Sequence, residues 1–381
     1  MNCTSTVGAR PENRHAPGAC ATISGMPDLT LDDLPDPLQR INRQVVLRQR
    51  PDGMLTHDDV ELVEGEMPEL GDRQILMRMI YVQMDAAARS WLDEGEGYLP
   101  AVKIGEAVRG GGMGRVIESN HPDIAVGSWC GGGLPGWNSW IVADGDSPIV
   151  NAFPPEHDAV FQMAVIGSAA ATAYFGLTDL GEIKEGDSVL ISAAAGSTGS
   201  VAVQVARNLG ATVVGIAGSD EKCRWVESIG AEVCLNRRTD DLAARLKEIR
   251  PKGFDIYFDN VGGPILDLAL RRLAIGARVV IIGAISMYNE KGRPPGPSNY
   301  LNLINKQAKM AGFQGLAYVD RYPEAWDQVR AWAADGKMEY KVDHAFGLEK
   351  CVDQLNSLFT GANTGKAVVQ LCADPGPGPY G

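Results

Sequence analysis

One stretch near the middle of the chain, Asp187 to Gly210, constrains the fold more than any other. It begins with the short apolar run Val189-Leu190-Ile191, which predicts a buried strand rather than a helix. Small residues from Ala193 to Gly199 then allow a tight turn, and a further apolar pattern extends to the helix-stopping Gly210. The predicted order is therefore strand, glycine turn and helix.

The spacing Ala194-x-Gly196-x-x-Gly199 matches a dinucleotide-binding fingerprint in which alanine takes the first glycine position. Gly196 would let the backbone approach a pyrophosphate, and Gly199 would let the helix pack closely on the strand. The free N–H groups of the first helical turn, at Ser197 and Thr198, favour an anion there. Taken alone, the pattern also fits a Gly/Ala-rich turn that binds nothing.

The residues that follow repeat the alternation of strand and helix. We predict strands at 211–218, 232–235, 254–259, 277–285 and 310–315, and helices at 220–229, 240–249, 264–274 and 322–334. Strands separated by helices predict a parallel, doubly wound sheet with right-handed crossovers. In this setting the fingerprint indicates a dinucleotide much more specifically than it does alone.

The rest of the chain predicts a second, β-rich domain. Strand patterns occur at 42–48, 58–64, 74–83, 108–119 and 129–142, and the last forty residues predict a strand, a helix and a strand that can rejoin them. We predict a Rossmann domain (166–341) inserted in a domain formed by 37–165 and 342–372, with disordered segments at 1–36 and 373–381. The cleft between two such domains is a common ligand site.

Composition argues against several classes of partner. The 381 residues carry a formal net charge of -13 without a cluster of Lys and Arg, so we expect no nucleic-acid partner. No apolar run has the length of a membrane span and the N-terminus lacks a signal-peptide core, so we expect no membrane partner. The seven scattered cysteines form no Cys-x-x-Cys, so we expect neither a disulfide framework nor a structural zinc site. This cysteine usage favours a location in the reducing cytoplasm.

Several motifs together match one family. They are Thr172-Ala173-Tyr174-Phe175-Gly176, Ala193 to Ser200, Gly218-Ser219-Asp220-Glu221-Lys222, Asp259-Asn260-Val261-Gly262-Gly263, Gly283-Ala284-Ile285-Ser286-Met287-Tyr288-Asn289 and Asn363-Thr364-Gly365-Lys366. Through them the chain resembles the zinc-free branch of the medium-chain dehydrogenase/reductase superfamily that contains prostaglandin reductases, alkenal double-bond reductases and curcumin-type reductases. The resemblance implies an α/β fold, with a doubly wound parallel Rossmann sheet inserted in a β-rich GroES-like domain, and a homodimer.

The resemblance also implies an activity, the transfer of hydride from NADPH to the β-carbon of an α,β-unsaturated ketone or aldehyde, with protonation at the α-carbon. Zinc-dependent relatives carry a Gly-His-Glu motif near the active site, whereas this chain has Gly105-Glu106-Ala107. None of its five histidines pairs with cysteines at ligand spacing, so no metal site is predicted.

Tyr288 is the predicted catalytic residue. Hydride addition to an enone leaves negative charge on the carbonyl oxygen, which needs a hydrogen-bond donor. In the family this role is linked to the tyrosine that closes the Gly-Ala-Ile-Ser-x-Tyr segment, and in this chain that segment follows a predicted strand at the edge where α/β sheets bind ligands. The alternative is a tyrosine that only packs over the cofactor.

Selectivity for the phosphorylated cofactor can be predicted from the residues themselves. An NAD site usually has Asp or Glu about 20 residues after the last fingerprint glycine, but here Gly218-Ser219 occupies that position. Lys222 and Ser219 would then bind a 2′-phosphate, as the matching lysine does in the family, with Asp220 interpreted as an N-cap. Arg237 replaces the tyrosine of an Asn-Tyr pair in relatives and also favours NADPH.

The remaining predicted cofactor contacts come from the resemblance. They are Asn260, Gly283, Ala284, Ile285, Ser286, Phe313, Gly315 and Asn363. Two segments depart from the family, Asp85-Ala86-Ala87-Ala88-Arg89 in place of Asp-Pro-x-Met-Arg and Gly167-Ser168-Ala169-Ala170-Ala171 in place of bulkier residues. Both predict a wider or differently shaped substrate pocket. The alternatives are an NADPH:quinone oxidoreductase and, in another class, a non-catalytic NADPH-binding interaction or sensor protein.

Overall fold

A computed structural model describes residues 29–380 except 96, 98, 133, 135, 291, 293, 294 and 379. The strands are β1 (Asn42–Leu47), β2 (Val60–Gly65), β3 (Gln74–Gln83), β4 (Gly111–Ser119), β5 (Trp129–Gly132), β6 (Trp140–Asp144), β7 (Val150–Phe153), β8 (Ser188–Ile191), β9 (Thr212–Ala217), β10 (Val233–Asn236), β11 (Phe254–Asp259), β12 (Leu273–Ile281), β13 (Lys309–Gly312), β14 (Val342–Phe346) and β15 (Lys366–Gln370). The α-helices are α1 (Ala87–Ser90), α2 (Ala159–Phe161), α3 (Ala171–Phe175), α4 (Ser197–Asn208), α5 (Asp220–Ser228), α6 (Leu242–Ile249), α7 (Gly263–Leu270), α8 (Asn302–Asn305), α9 (Tyr322–Ala334) and α10 (Cys351–Thr360). Short 3-10 turns lie at Leu31–Asp33, His57–Asp59, Ile285–Met287, Gly315–Arg321 and Leu348–Lys350.

Six strands form the predicted parallel sheet, in the order β10-β9-β8-β11-β12-β13. Every neighbouring pair in it is parallel, and apolar clusters cover both faces. The chain moves outward from β8 to β10 and then returns to place β11 on the other side of β8. The carboxyl ends of β8 and β11 therefore lie at the topological switch point, where sheets of this kind bind ligands. The doubly wound α/β prediction is confirmed.

The boundary between α7 and β12 differs from the prediction. The predicted strand 277–285 lies at Leu273–Ile281, and the preceding helix ends at Leu270 rather than 274. The error comes from Gly276, which has a φ of 75° and sits in a bulge of β12 instead of separating helix from strand. As a consequence, Gly283 to Tyr288 lie beyond the end of β12, where Ile285–Met287 make a 3-10 turn.

The second sheet has the order β14-β15-β3-β4-β5-β7, with β6 also paired to β3. Its pairs are antiparallel except β14 with β15. β15, from the end of the chain, pairs antiparallel with β3. The β1–β2 ribbon joins this domain through isolated bridges from Gln44 to Asn138 and from Val46 to Ala107.

A helical segment of 22 residues, Ala159–Leu180, connects the two domains. By length and composition it could cross a membrane, but 67% of its most apolar window is buried inside the protein. Asp158 caps its start by accepting hydrogen bonds from Val160 N and Phe161 N. Gly167 interrupts it with non-helical dihedrals, and Trp326 Nε1 donates to the Gly167 carbonyl at 3.0 Å. These contacts are those of a helix held in a protein core.

Parts of both chain ends that the sequence predicts to be disordered make defined contacts. Arg115, whose side chain is 4% exposed, donates to both carboxylate oxygens of Asp374 at 2.9 and 2.7 Å. Near the N-terminus, Leu31–Asp33 form a 3-10 turn, and the Asp33 carboxylate accepts from Thr30 N at 2.8 Å. Pro- and Gly-rich composition predicts disorder but cannot reveal that a buried arginine needs an acceptor from that segment. The predicted disorder of residues 1–28 lies outside the described residues.

Candidate active site

The turn after β8 has the geometry that the fingerprint predicts. Gly196 is the N-cap of α4, with φ -81° and ψ 177°. A Cβ added to Gly199 would lie under 3.0 Å from the Ala193 carbonyl oxygen, a distance that real Cβ atoms essentially never show. Only glycine therefore allows this approach of helix to strand.

The first turn of α4 offers donors that the protein does not use. Backbone N–H groups of a first helical turn have no partner within the helix. The Ser197 hydroxyl is buried and, among the described residues, has no hydrogen-bond partner. A buried polar atom without a partner needs an explanation. A pyrophosphate provides one, because its oxygens would accept from both the backbone and the hydroxyl.

The region after β9 corrects one prediction. Ser219, and not Asp220, is the N-cap of α5: its backbone is extended and its Oγ accepts from Lys222 N at 3.3 Å. Asp220 is the first helical residue, and its carboxylate accepts from Asn236 Nδ2 at 2.6 Å. The Ser219 hydroxyl keeps its own proton to donate, since a hydroxyl is donor and acceptor at once.

Cationic side chains gather beside Gly218, where an NAD site would hold a carboxylate. Lys222 Nζ donates to the Gly361 carbonyl at 2.9 Å, and Arg237 Nε lies 3.8 Å from the Cβ position of Gly218. Arg238, which the sequence argument missed, donates from Nη2 to the Thr360 carbonyl at 3.1 Å. Arg238 follows Arg237 in sequence, and this pair of adjacent arginines could have indicated it as a second cation of the site.

The electrostatics of this cluster favour an added anion. Burial lowers the pKa of Lys222, and the positive charges of Arg238 and Arg237 lower it further. Asp343 on β14 acts in the opposite direction, as does Glu221. A 2′-phosphate would relieve the repulsion among the cations and accept charge-assisted hydrogen bonds from them.

Tyr288 lies over the carboxyl end of β12. The 3-10 turn Ile285–Met287 reverses the chain, so that the Tyr288 hydroxyl accepts from Ala284 N at 3.1 Å and lies 3.1 Å from the Cβ position of Gly283. Because the oxygen accepts this bond, its proton remains free for another acceptor. Desolvation raises the pKa of Tyr288, Asp85 and Asp259 raise it further, and the Ala284 hydrogen bond opposes them. The phenol is therefore a neutral donor at physiological pH.

Asp259 organises the platform beneath Tyr288, a role that the sequence argument did not assign. It is fully buried at the end of β11, and its Oδ1 accepts four hydrogen bonds. The donors are Tyr257 OH at 2.6 Å, Val261 N at 2.9 Å, Gly262 N at 3.0 Å and Ser192 Oγ at 3.1 Å. Burial raises the pKa of Asp259, against the lowering effect of these donors. An Asp followed three residues later by Gly is a turn signal that sequence reasoning could have used.

Asn260 links the ends of three strands. Its Nδ2 donates to the Ser192 carbonyl after β8 at 2.7 Å, and its own carbonyl accepts from Ile285 N, beyond β12, at 3.3 Å. Ser286 is joined to the same loop, because its Oγ donates to the Val261 carbonyl at 2.7 Å. The predicted residues Asn260 and Gly283 to Ser286 therefore form one cluster with Tyr288.

Phe313 and Gly315 lie at the same edge of the sheet, after β13. Phe313 N donates to the Ile281 carbonyl at 2.9 Å, while its ring stacks on Tyr318 with centroids 4.9 Å apart. The Cβ position of Gly315 lies 3.0 Å from the Tyr322 hydroxyl. The Phe313 ring is thus engaged in an aromatic cluster, and its predicted cofactor contact would come from the backbone.

Asn363 adjoins the fingerprint turn from the β-rich domain. It is buried, and its Nδ2 donates to the Gly365 carbonyl at 3.1 Å. Gly365 N in turn donates to the Ala195 carbonyl at 2.8 Å, and Gly365 forms a bridge with Gly196. The segment before β15 therefore borders the turn that the dinucleotide would occupy.

The small residues expected to widen the substrate pocket mostly pack in the core. Ala88, Ala169, Ala170 and Ala171 are all buried, in apolar clusters of the two domains. Ser168, in contrast, is exposed, and Ala86 and Ala87 are half-buried. Among the positions that depart from the family, Ala86, Gly167 and Ser168 are the ones that stay partly or fully accessible.

The side chains do not fit a metal ion. Among the described residues, no group of three or more His, Cys, Asp and Glu side chains is arranged to hold one. His57 contacts the exposed carboxylate of Asp353 at 2.9 Å. His121 contacts the exposed carboxylate of Asp146 at 3.1 Å, and Arg73 bonds the same carboxylate, so this group is an ion-pair network. Glu106 interacts with Lys103.

A parallel sheet with a glycine turn at its switch point, and with a tyrosine that can donate at the same edge of the sheet, is typical of a dinucleotide-dependent oxidoreductase. Comparison with known proteins refines this class. Residues 43–150 match the family model described as the N-terminal domain of oxidoreductase, and residues 197–332 match the one described as zinc-binding dehydrogenase.

Individual relatives match over nearly their whole length. The NADPH-dependent curcumin reductase of Escherichia coli is 34% identical, over 87% of this chain and 98% of that protein. The NADP(+)-dependent 2-alkenal reductase of Nicotiana tabacum is 32% identical, over 87% and 97%. The crystal structure of CurA from Vibrio vulnificus in complex with NADPH superposes with a TM-score of 0.81 at 34% identity, over 87% of this chain and all of that one. The chain belongs to the medium-chain dehydrogenase/reductase superfamily, in the branch of curcumin and alkenal reductases that its motifs indicate.

Proposed function

We propose that the protein is an NADPH-dependent reductase of the carbon–carbon double bond of α,β-unsaturated ketones or aldehydes. The observation that carries this proposal is the neutral Tyr288 phenol, which accepts from Ala284 N and keeps its proton for a substrate oxygen beside the dinucleotide turn. The relatives named for reducing curcumin and 2-alkenals support the same reaction class.

The cofactor fits the donors of the site. Ser197 and the first turn of α4 would hold the pyrophosphate, and Lys222, Arg237 and Arg238 would hold the 2′-phosphate. When bound, NADPH supplies the hydride. The cluster of Asn260 and Gly283 to Ser286 lies at the switch point, where it would position the nicotinamide end.

Tyr288 supplies the stabilisation that the reaction needs. As the β-carbon gains hydride, the π electrons move through the α-carbon onto the carbonyl oxygen, and the phenol donates a hydrogen bond to that oxygen. The Ala284 N–H fixes the phenol in place, and the raised pKa of Tyr288 keeps it protonated. The enolate then takes a proton from solvent water at its α-carbon, which completes reduction of the double bond and leaves the carbonyl intact.

We assign this stabilisation to the tyrosine alone among the protein's groups. In the ranges that the structure describes, no cluster of ligands suits zinc, so no Lewis acid is proposed. Activity should accordingly survive strong chelators, and the purified protein should carry no stoichiometric zinc. One zinc ion per chain, with activity that is lost when the zinc is removed, would contradict this part of the assignment.

A substrate screen tests the proposed reaction. NADPH oxidation is followed with alkenals, aryl enones, cyclic enones and quinones, and the products are identified to show which bond was reduced. Saturated ketones or aldehydes with an intact carbonyl are expected. Turnover confined to quinones would instead establish the NADPH:quinone oxidoreductase, and tight NADPH binding without turnover of any compound would establish the non-catalytic alternative.

We further propose that two copies associate through the edge of the parallel sheet. β13 is the edge strand, and exposed apolar side chains lie near it, with Ile275 at 74% and Ile304 at 75% exposure. A second copy would cover these residues and pair the strand edge. Light scattering should give twice the monomer mass for the wild-type protein and the monomer mass for Ile304→Glu. A monomer mass for the wild-type protein would refute the dimer.

The proposed location is the cytoplasm. The five cysteines that the structure describes, Cys130, Cys223, Cys234, Cys351 and Cys372, are all free and buried. Unpaired thiols and NADPH dependence both suit a reducing compartment. Fractionation of expressing cells, with assay of each fraction, tests this location, and activity recovered in a membrane or secreted fraction would contradict it.

A further inference from the structure

Two of the three cations of the proposed 2′-phosphate site donate hydrogen bonds to the other domain. Helix α10 ends at Thr360, and Gly361 follows in the left-handed region with φ 68°. Lys222 Nζ donates to the Gly361 carbonyl at 2.9 Å and Arg238 Nη2 to the Thr360 carbonyl at 3.1 Å. These carbonyls belong to the end of a helix, where the backbone dipole places partial negative charge. A structural element of the β-rich domain thus orients two side chains of the Rossmann domain.

The same segment also reaches the opposite end of the cofactor site. Four residues after Gly361, Gly365 N donates to the Ala195 carbonyl at 2.8 Å. Asn363 braces the intervening turn through its bond to the Gly365 carbonyl. Residues 360–365, which we call the α10 end segment, therefore contact both the phosphate-binding turn and the cation cluster.

These bonds leave room for a phosphate. A lysine ammonium has three N–H donors and an arginine guanidinium has five, and the hydrogen bonds described here use one on each. The remaining donors of Lys222 and Arg238 can meet phosphate oxygens while the carbonyls stay bound. The two cations would then lie between a phosphate dianion and the negative end of α10, with both sides holding them in place.

Without the α10 end segment, the cluster would lose this arrangement. Arg237 Nη2 and Arg238 Nη2 lie 3.7 and 4.0 Å from the Cβ position of Gly361, so all three cations meet at this one residue. Like charges this close repel, and burial already disfavours the charged form of Lys222. Carbonyl acceptors that fix two of the cations in advance reduce the ordering cost of phosphate binding.

Resting on the proposed NADPH dependence, we propose that the α10 end segment is a specificity-determining element for the 2′-phosphate, and that Arg238 is a specificity-determining residue. The segment holds Lys222 and Arg238 in the orientation that a 2′-phosphate requires. Binding of that phosphate therefore restrains the end of α10 and couples the two domains. A cofactor without the phosphate occupies the same turn but leaves α10 unchanged.

Adenosine 2′,5′-bisphosphate and 5′-AMP test this directly, because they differ only in the 2′-phosphate and carry no nicotinamide. In calorimetric titrations, Arg238→Gln should lower the affinity for the bisphosphate by roughly tenfold or more, as expected for loss of a charge-assisted contact. The affinity for 5′-AMP should fall by less than about twofold. Lys247→Gln, which removes an exposed cation on α6 of the same domain, should change neither affinity.

Substitutions at Gly361 test the role of the carbonyls without removing a charge. Gly361→Ala strains the left-handed backbone and should displace the carbonyl, whereas Gly361→Asn tolerates that conformation better. The added Cβ itself makes only ordinary contacts at 3.7 Å or more. We expect Gly361→Ala to lower the affinity for the bisphosphate by about fivefold and Gly361→Asn to lower it by less. The affinity for 5′-AMP should be unchanged in both variants.

Hydrogen exchange at residues 356–366 supplies the independent measurement. The bisphosphate should slow exchange in the α10 end segment of the wild-type protein, and 5′-AMP should not. Equal protection by both nucleotides, or full bisphosphate affinity in Gly361→Ala and Arg238→Gln, would overturn the inference and leave NADPH dependence standing. Failure of the wild-type protein to bind the bisphosphate or NADPH at all would instead overturn the proposed function itself.

Discussion

The two phosphate-binding ends of the proposed cofactor site are built in different ways. The pyrophosphate end is one continuous stretch, Ala193 to Ser200, whose shape depends on backbone contacts between neighbours. The 2′-phosphate end combines Lys222 on α5 and the arginines after β10 with carbonyls at the end of α10 in the other domain. Adding a single methyl group can therefore abolish binding at the pyrophosphate end. At the 2′-phosphate end, each removed charge weakens binding by only part of the total.

Gly199→Ala should have the largest effect, because it attacks the continuous end. Its Cβ would press on the Ala193 carbonyl, and overpacking of this kind costs enough to reduce NADPH and NADH affinity by about 100-fold each. Calorimetry with circular dichroism measures both binding and folding. Gly296→Ala is the matched control, since nothing lies within 4 Å of its Cβ position. A folded Gly199→Ala protein with normal NADPH affinity would contradict the close packing.

Lys222→Ala should have a smaller and selective effect. Removing one charge-assisted contact to a phosphate costs about 1.5 to 3 kcal/mol, so NADPH binding should weaken by roughly ten- to 150-fold. NADH has no 2′-phosphate and its affinity should remain nearly the same. Equal losses with both cofactors would show that Lys222 supports the fold of α5 rather than the phosphate.

The difference between these two effects matches the difference in predictability. Residues close together in sequence determine the turn, the parallel sheet and the roles of the glycines. These features could therefore be predicted from the sequence. Arg238 and the carbonyls at Thr360 and Gly361 meet only in the folded chain, so the sequence argument named Lys222 and Arg237 without them. Similarly, the N-cap was assigned to Asp220 because both Ser and Asp suit that position, and only the extended backbone of Ser219 decides between them.

The same distinction applies to the wrong boundary of β12 and to the substrate pocket. Gly276 suggests a break locally, but pairing with β11 carries the strand through it. Ala88 and Ala169 to Ala171 are small residues in the two segments that depart from the family, and all four are buried in the core. Contacts distant in sequence decide both cases.

The pH dependence of cofactor selectivity should give the smallest effect. The pKa of Lys222 lies below its ordinary value, so as pH rises Lys222 loses its charge earlier than an exposed lysine would. NADPH affinity should therefore decline in mildly alkaline solution by about a fewfold while NADH affinity stays constant. Titrations of both cofactors between neutral pH and about pH 10 measure this. A parallel decline for NADH would assign the effect to another group.

Tyr288→Phe is the most direct test of the enone reductase assignment. A preorganised donor to a developing oxyanion is worth about 2.7 to 4 kcal/mol when it acts alone, and a ribose hydroxyl of a bound cofactor would reduce the share that falls to Tyr288. Turnover of an enone that the wild-type enzyme reduces should fall by roughly ten- to several-hundredfold, while NADPH affinity stays within about a fewfold of wild type. That pattern would show an interaction made mainly in the transition state. Full turnover of the enone by the Phe variant would contradict the assignment and leave Tyr288 as a residue that packs over the cofactor.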